Sequence, residues 1–249
     1  MKLQDALLRL YATARKSGVL EHPWAERAFV RSYFLYKRYL EDPFYALIAT
    51  EPALFLGGHG LDVGANVGYT AAVFSRATDC NVYAFEPDAR NFRMLERSVT
   101  HANIIPVRAA VGATSGEAEL WHNPRHSGDH RVRTEAFAAA GETALVPMVS
   151  LDDFVRNRRL DAIAFVKIDV QGYELAVCEG MREIIDDNPQ LAVALEYAPD
   201  SMRELGFDGA DLLAFFAERG FSPQLIERSG ALRPFDGAAG DYVNLLFRR

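Results

Sequence analysis

The run Leu61-Asp62-Val63-Gly64-Ala65-Asn66-Val67-Gly68-Tyr69-Thr70, with Val82-Tyr83-Ala84-Phe85-Glu86-Pro87 after it, constrains the fold of this chain more than any other feature. Two short apolar runs each meet a carboxylate, and a glycine turn between them opens a helical pattern. Such an arrangement forms the nucleotide end of an α/β sheet. Gly64 and Gly68 lack Cβ, so the backbone there can turn tightly and come close to a ligand. The amides at the start of the helix near Val67 then remain free to meet a carboxylate or a phosphate. Glu86 ends the second run, where a carboxylate accepts hydrogen bonds from both ribose hydroxyls and argues against a 2′-phosphate.

Asp62 separates two kinds of nucleotide site. A nicotinamide or flavin fold sets a pyrophosphate against the glycine turn, where this carboxylate would be repulsive and where Gly-x-Gly-x-x-Gly spacing is expected. An acid at this position suits the ammonium of an amino-acid moiety. S-adenosylmethionine carries ammonium, carboxylate, sulfonium and ribose together, which makes it the expected cofactor. Asp62, Gly64, Asn66, Gly68, Glu86, Pro87 and Asp169 are the residues expected to hold it.

With 249 residues, 49% of them apolar, the chain can bury a substantial core as one α/β domain. A formal charge of −7 argues against broad nucleic-acid binding, which needs clustered cations. The two cysteines, Cys80 and Cys178, form no Cys-x-x-Cys pair and read as core hydrophobes. Charges recur through Arg15 and Lys16, so the first residues do not read as a signal peptide, and no apolar stretch approaches a membrane span. A cytoplasmic location is expected.

Residues 1–55 read as an N-terminal helical cap and 56–249 as the main domain. In the cap, Pro23 opens a helix in which Ala25, Phe29, Ser32, Tyr36 and Tyr39 recur at helical spacing, and Asp42-Pro43 ends it. Arg27, Arg31 and Arg38 around Phe34 read as the opposite, basic face, a mixture suited to a membrane surface or to homo-oligomer contacts through these helices. Beyond Gly60, strands are expected near 60–63, 81–86, 104–107, 162–168, 190–196, 221–226 and 242–247, with helices near 67–76, 88–100, 172–186 and 209–219. This alternation implies a doubly wound, mostly parallel sheet covered on both faces. Two further strands, 117–121 and 145–149, flank the polar loop 123–131.

A third constellation is Phe165-Val166-Lys167-Ile168-Asp169-Val170-Gln171-Gly172-Tyr173-Glu174. Its strand-to-helix pattern puts Lys167, Asp169 and Gln171 at the carboxyl edge of a central strand, where ligands of open α/β sheets bind. The next strand ends Leu195-Glu196-Tyr197 on the same edge. Two carboxylates there can share a proton, orient a hydroxyl or hold a divalent metal. Two are few for magnesium, and none is favoured.

On these runs, together with Val149-Ser150-Leu151-Asp152-Asp153, the chain resembles the FkbM-type methyltransferases over about residues 60–247. The resemblance implies a seven-stranded Rossmann-like sheet whose last strand, Tyr242 to Phe247, is antiparallel. It also implies O-methylation of a hydroxyl on a sugar, glycolipid or polyketide product, with S-adenosylhomocysteine released. Where the family usually has Glu after Lys-Ile-Asp-Val, this chain has Gln171, which cannot act as a base. Ala109-Ala110-Val111 offers the adenine no polar side chain, so backbone near Pro87, Asp88 and Ala110 is expected to serve. Asp169 and Glu196, with Lys167, are expected to face the acceptor, and His126 or His130 is the candidate base. His126, Ser127, Asp129, His130 and Gln171 are expected to bind the acceptor. N-methylation, or a catalytically silent cofactor-binding or interaction subunit, remains an alternative reading.

Overall fold

The computed structural model describes residues 22–123, 128–138, 140–237 and 242–249. The described chain begins with α1 (Pro23–Tyr36), a π-helical turn (Lys37–Glu41), α2 (Phe44–Thr50) and a short 3-10 turn. It continues through β1 (His59–Val63), α3 (Tyr69–Phe74), β2 (Val82–Phe85), α4 (Ala89–Ser98) and β3 (Ile104–Val107). An excursion follows, made of β4 (Ala110–Val111), β5 (Gly116–Trp121), β6 (Arg131–Val132), β7 (Thr143–Val149) and α5 (Leu151–Arg158). The second half comprises β8 (Ile163–Ile168), α6 (Glu174–Glu179), α7 (Arg182–Asp187), β9 (Ala192–Tyr197), α8 (Pro199–Glu204), α9 (Gly209–Ala217), β10 (Ser222–Ile226), β11 (Leu232–Pro234) and β12 (Val243–Arg248).

The main sheet has the order β11-β10-β12-β9-β8-β1-β2-β3. β3, β2, β1, β8 and β9 pair in parallel, and β12 runs antiparallel to both β9 and β10. The seven expected strands are all present, and among the described residues β11, a short antiparallel extension of β10, raises the count to eight. Its Leu-Arg-Pro sequence is too short to carry an alternation signal. Successive residues of the central strands feed opposite faces of the sheet: Tyr83, Phe85 and Val166 enter one apolar cluster, and Val82, Ala84 and Phe165 the other. Both faces are covered, so β8 is buried at every position. Phe165 sits between Phe55 and Phe74 at 4.5 and 4.8 Å between ring centroids. Truncating it to alanine is expected to cost about 3–5 kcal/mol.

The expected helix 172–186 is broken into α6 and α7. At the break, a Cβ on Gly180 would lie 2.1 Å from the carbonyl oxygen of Gly112, so α6 can end against the excursion only at a glycine. The second piece is capped from another element, because both oxygens of Asp152 on α5 accept amides at the start of α7, from Glu183 and Ile184. In the cap, Ala25 is buried as expected, but Ser32 and Tyr39 are exposed. Phe34, expected on the outer basic face, packs edge-on against Tyr69 at 5.4 Å instead. Phe44 of α2 packs the same way on Phe74, so the cap rests on α3.

Candidate active site

The chain leaves β1 to build β2 and β3 on one side, then returns through β8 on the other. Between β1 and β8 the order of the sheet reverses, which is where open α/β sheets hold ligands. A cavity of about 760 Å³ lies there, bounded by the ends of β1, β2, β8 and β9, by β4, β5 and β6 of the excursion and by the cap. That volume lies within the ~300–1,000 Å³ usual for small-molecule sites.

The glycine turn is shaped by protein packing. Gly64 has φ +76°, and a Cβ there would stand 1.9 Å from the carbonyl oxygen of Asp169. At Gly68, with φ +89°, a Cβ would meet Leu95 Cδ1 at 2.5 Å. Gly68 therefore packs on α4 and is not part of the cavity wall, which corrects its expected contact with a cofactor. The amides of the turn itself are engaged by the protein. Gly64 and Ala65 both donate to the Phe85 carbonyl, Gly68 donates to Ala65, and Asn66 N–H donates to Glu86 Oε2 at 2.9 Å. Gly64, Ala65, Asn66 and Val67 line the cavity, with Asn66 held in the left-handed region at φ +51° that asparagine tolerates.

Glu86 lines the cavity from the end of β2, next to Pro87. Asp88 N–H donates to its Oε1 at 2.9 Å, so each oxygen is fixed by one backbone donor. A carboxylate offers about four acceptor sites, so with Asn91 as a further donor it keeps capacity for a ligand hydroxyl. Burial pushes this carboxyl up to about 8, against the lowering effect of the two amides. Asn91, another lining residue, also hydrogen-bonds the Glu86 side chain.

Asp62 and Lys167 face each other in register across β1 and β8. Asp62 is fully buried and does not line the cavity, and its Oδ1 stands 3.5 Å from Lys167 Nζ. The expectation that Asp62 meets a ligand ammonium is thereby corrected, since its cation is supplied by the neighbouring strand. Lys167 also lies 3.3 Å from Asp169 Oδ2 and donates to the Gly64 carbonyl at 3.3 Å. Burial by itself would lower its pKa, but the Asp169 and Asp62 carboxylates raise it. Lys167 is thus a fixed cation and not a proton acceptor, although the sequence places it among the catalytic candidates.

Asp169 lines the cavity and is ionised. Burial works to raise its pKa, but Lys167, Lys37 and a 2.8 Å hydrogen bond from Gln171 Nε2 hold it below the usual range. Gln171, with φ +57°, lines the cavity and orients this carboxylate. Glu196, at the end of β9, lines the same cavity. Burial, Asp169 and Glu174 push it up to about 8. Two neighbouring strand ends therefore carry one ionised carboxylate and one that titrates near neutrality, the pairing that separates acid-base roles.

The insertion contributes less than expected. His126 and Ser127 lie outside the described residues. Gly128 and His130 line the cavity but Asp129 does not. Asp129 accepts from Asn123 Nδ2 at 2.7 Å and from Arg131 Nε at 3.0 Å, and Arg131 continues to Glu204 on α8. Its role as a ligand group is corrected to that of a loop anchor. His130 Nδ1 accepts the Asn123 amide at 3.1 Å, which places the proton of the neutral ring on Nε2. That nitrogen donates, so His130 does not serve as the base.

Several lining residues escaped sequence reasoning. Lys37 and Glu41 form an ion pair across the π-helical turn and line the cavity together with Tyr33 and Tyr36 of α1. The turn itself is a signal of the kind found at functional sites, but a π-bulge has no sequence signature. Glu174 Oε1 accepts the Val170 and Gly172 amides at 3.1 and 3.2 Å, holding the turn that presents Asp169 and Gln171. Among the described residues no three carboxylate, imidazole or thiol groups gather as a metal centre would require.

The methyltransferase FkbM domain model matches residues 62–223 of this chain. The chain belongs to the FkbM methyltransferase family. A curated relative, the hexuronic acid methyltransferase AglP of Haloferax volcanii, is 33% identical over 123 residues, covering 48% of this chain and 48% of that protein. The crystal structure of an FkbM methyltransferase from Methylobacillus flagellatus KT superposes with a TM-score of 0.51 at 17% identity, over 82% of this chain and 47% of that one. It shows the shared Rossmann-like fold. This family member thus spans about half the length of both proteins. No helix among its described residues is long and apolar enough to cross a membrane.

Proposed function

We propose that this chain is an S-adenosylmethionine-dependent O-methyltransferase whose acceptor is a sugar hydroxyl, free or carried on a glycolipid or other natural product. The observation that carries the reading is that Glu86, Asp169 and Glu196 open on one cavity. The residues fit the cofactor: Glu86 has unused acceptor capacity for a ribose hydroxyl, and ionised Asp169 meets the demand for an anion that Asp62 cannot. Pro87 and Ala109 to Val111 supply the apolar surface an adenine needs. The sugar acceptor is supported by the activity in the name of the archaeal relative.

When bound, S-adenosylmethionine supplies an electrophilic methyl group on a sulfonium, and S-adenosylhomocysteine leaves. The protein's part is mainly positioning, because an in-line approach converts an encounter into an effectively unimolecular step. Glu196, in its carboxylate form, takes the proton of the acceptor hydroxyl as the oxygen–methyl bond forms. Lys167 and Gln171 keep Asp169 ionised and oriented, and His130 Nε2–H donates to an acceptor oxygen.

Calorimetry should detect S-adenosylmethionine at micromolar concentration, about −8 kcal/mol. Incubation with glycans or glycolipids should release S-adenosylhomocysteine. Binding of NAD in place of S-adenosylmethionine would overturn the cofactor, and release only with amine acceptors would overturn the hydroxyl.

A further inference from the structure

The cavity wall given by the cap differs in chemistry from the wall at the sheet edge. Phe29, Tyr33 and Tyr36 follow one another at helical spacing on one side of α1, and Tyr242, just before β12, joins them. Phe29 and Tyr33 lie 21° from parallel with centroids 6.2 Å apart, forming a broad facet. None of the four rings is fully buried, and Tyr242 is 46% exposed. A ring that only served to pack the cap would be closed into its core, as Phe44 is against Phe74 of α3. Beside the facet stand groups that hydrogen-bond: Ser32, Lys37 and Glu41 line the same wall.

An apolar face flanked by polar groups matches one kind of ligand closely. A pyranose ring presents polarised C–H bonds on one face, which suit the negative face of an aromatic ring, and hydroxyls around its edge, which do not. An acyl chain would offer no hydroxyl to the Lys37–Glu41 ion pair beside the facet. We propose that Phe29 and Tyr33, with Tyr36 and Tyr242, form the platform on which a pyranose ring of the acceptor stacks, its edge hydroxyls turned to Lys37 and Glu41. The inference rests on the sugar reading above and adds to it the cap as the specificity element, where sequence reasoning had looked to the 123–131 loop.

The test uses the full chain and the variants Phe29→Ala, Tyr33→Ala and Tyr33→Phe. S-adenosylmethionine affinity by calorimetry reports folding and the cofactor half of the site, and S-adenosylhomocysteine release is followed with methyl glycosides of glucuronic acid and glucose. The two alanine variants should raise the acceptor KM about tenfold or more while leaving cofactor affinity unchanged. Tyr33→Phe keeps the ring and should stay within about twofold of the parent. In the parent protein, saturating aromatic protons should transfer magnetisation to the ring C–H protons of the bound glycoside. Turnover with an unchanged KM in both alanine variants would overturn the platform and leave the sugar reading standing. Turnover on a planar phenol such as catechol, with none on any glycoside, would overturn both.

Discussion

At the residue scale, three glutamates illustrate how burial assigns chemistry. Glu86 and Glu196 both sit near 8, yet Glu86 is pinned by two amides while Glu196 faces Asp169. Methyl transfer that needs the Glu196 carboxylate should speed up as pH rises through about 8, measured as kcat at saturating cofactor. Glu196→Gln should remove that limb and lower kcat about a hundredfold, the low end for general base catalysis. A retained limb in this variant would move the base elsewhere. For Glu86, Glu86→Gln places an amide NH₂ against one of two backbone donors, and cofactor affinity should fall by ~1.5–3 kcal/mol in calorimetry. Glu174 touches neither end of the cavity and acts by holding the 170–172 turn. Its motif was visible in the sequence, but its task was not, because the two amides it accepts become donors only once the left-handed turn at Gln171 forms.

At the scale of elements, the part of the insertion around β6 is tied to α8 by a chain of ion pairs. Arg131 on β6 joins Asp129 of the loop to Glu204 of α8. Arg131→Met should loosen the segment that carries His130 and raise the acceptor KM about tenfold, with cofactor affinity unchanged because Glu86 and Asp169 lie on other elements. Equal losses for both ligands would mean that the insertion supports the whole cavity. The strand-helix alternation was legible because the central strands are covered on both faces and read as apolar runs. The break between α6 and α7 was not, since Leu175, Cys178, Met181 and Ile185 keep helical spacing across it and only the approach of Gly112 forces the chain apart.

At the scale of the whole molecule, the buried acids make the protein's stability depend on pH in an unusual direction. Glu86 and Glu196 titrate near 8 and Glu174 near 7 in the folded chain, against ~4.3 for an unfolded glutamate. Between those values the unfolded chain has released protons that the folded chain still binds, so stability falls as pH rises from about 4.3 to about 8. Asp169, held below its usual value, works in the opposite sense, but its contribution is lost only at acid pH below that window. Without ligand, Tm should therefore be higher at about pH 6 than at about pH 8.5, at ~2–4 °C per kcal/mol for a chain of this size. The reverse order by calorimetry would show that these carboxylates are solvated. Activity should survive EDTA, because Asp169 and Glu196 are few oxygen ligands for magnesium and no third such group gathers with them among the described residues. Loss in EDTA with rescue by magnesium would contradict this.

The sequence by itself determined the alternation of strands and helices and the carboxylates at the sheet edge, because periodicity and turn chemistry are local properties of the chain. It marked Asp62 and Lys167 as charged but could not say that they neutralise each other, since that follows from the β1–β8 register. Tertiary structure decided which charges face the cavity. It withdrew Asp62, Gly68 and Asp129 from the cavity wall and brought in Lys37, Tyr33 and Tyr242 from the two ends of the described chain. The physical reason is that a side chain's burial, pKa and hydrogen-bond partners come from whichever elements pack against it, and those are set by contacts between residues far apart in sequence.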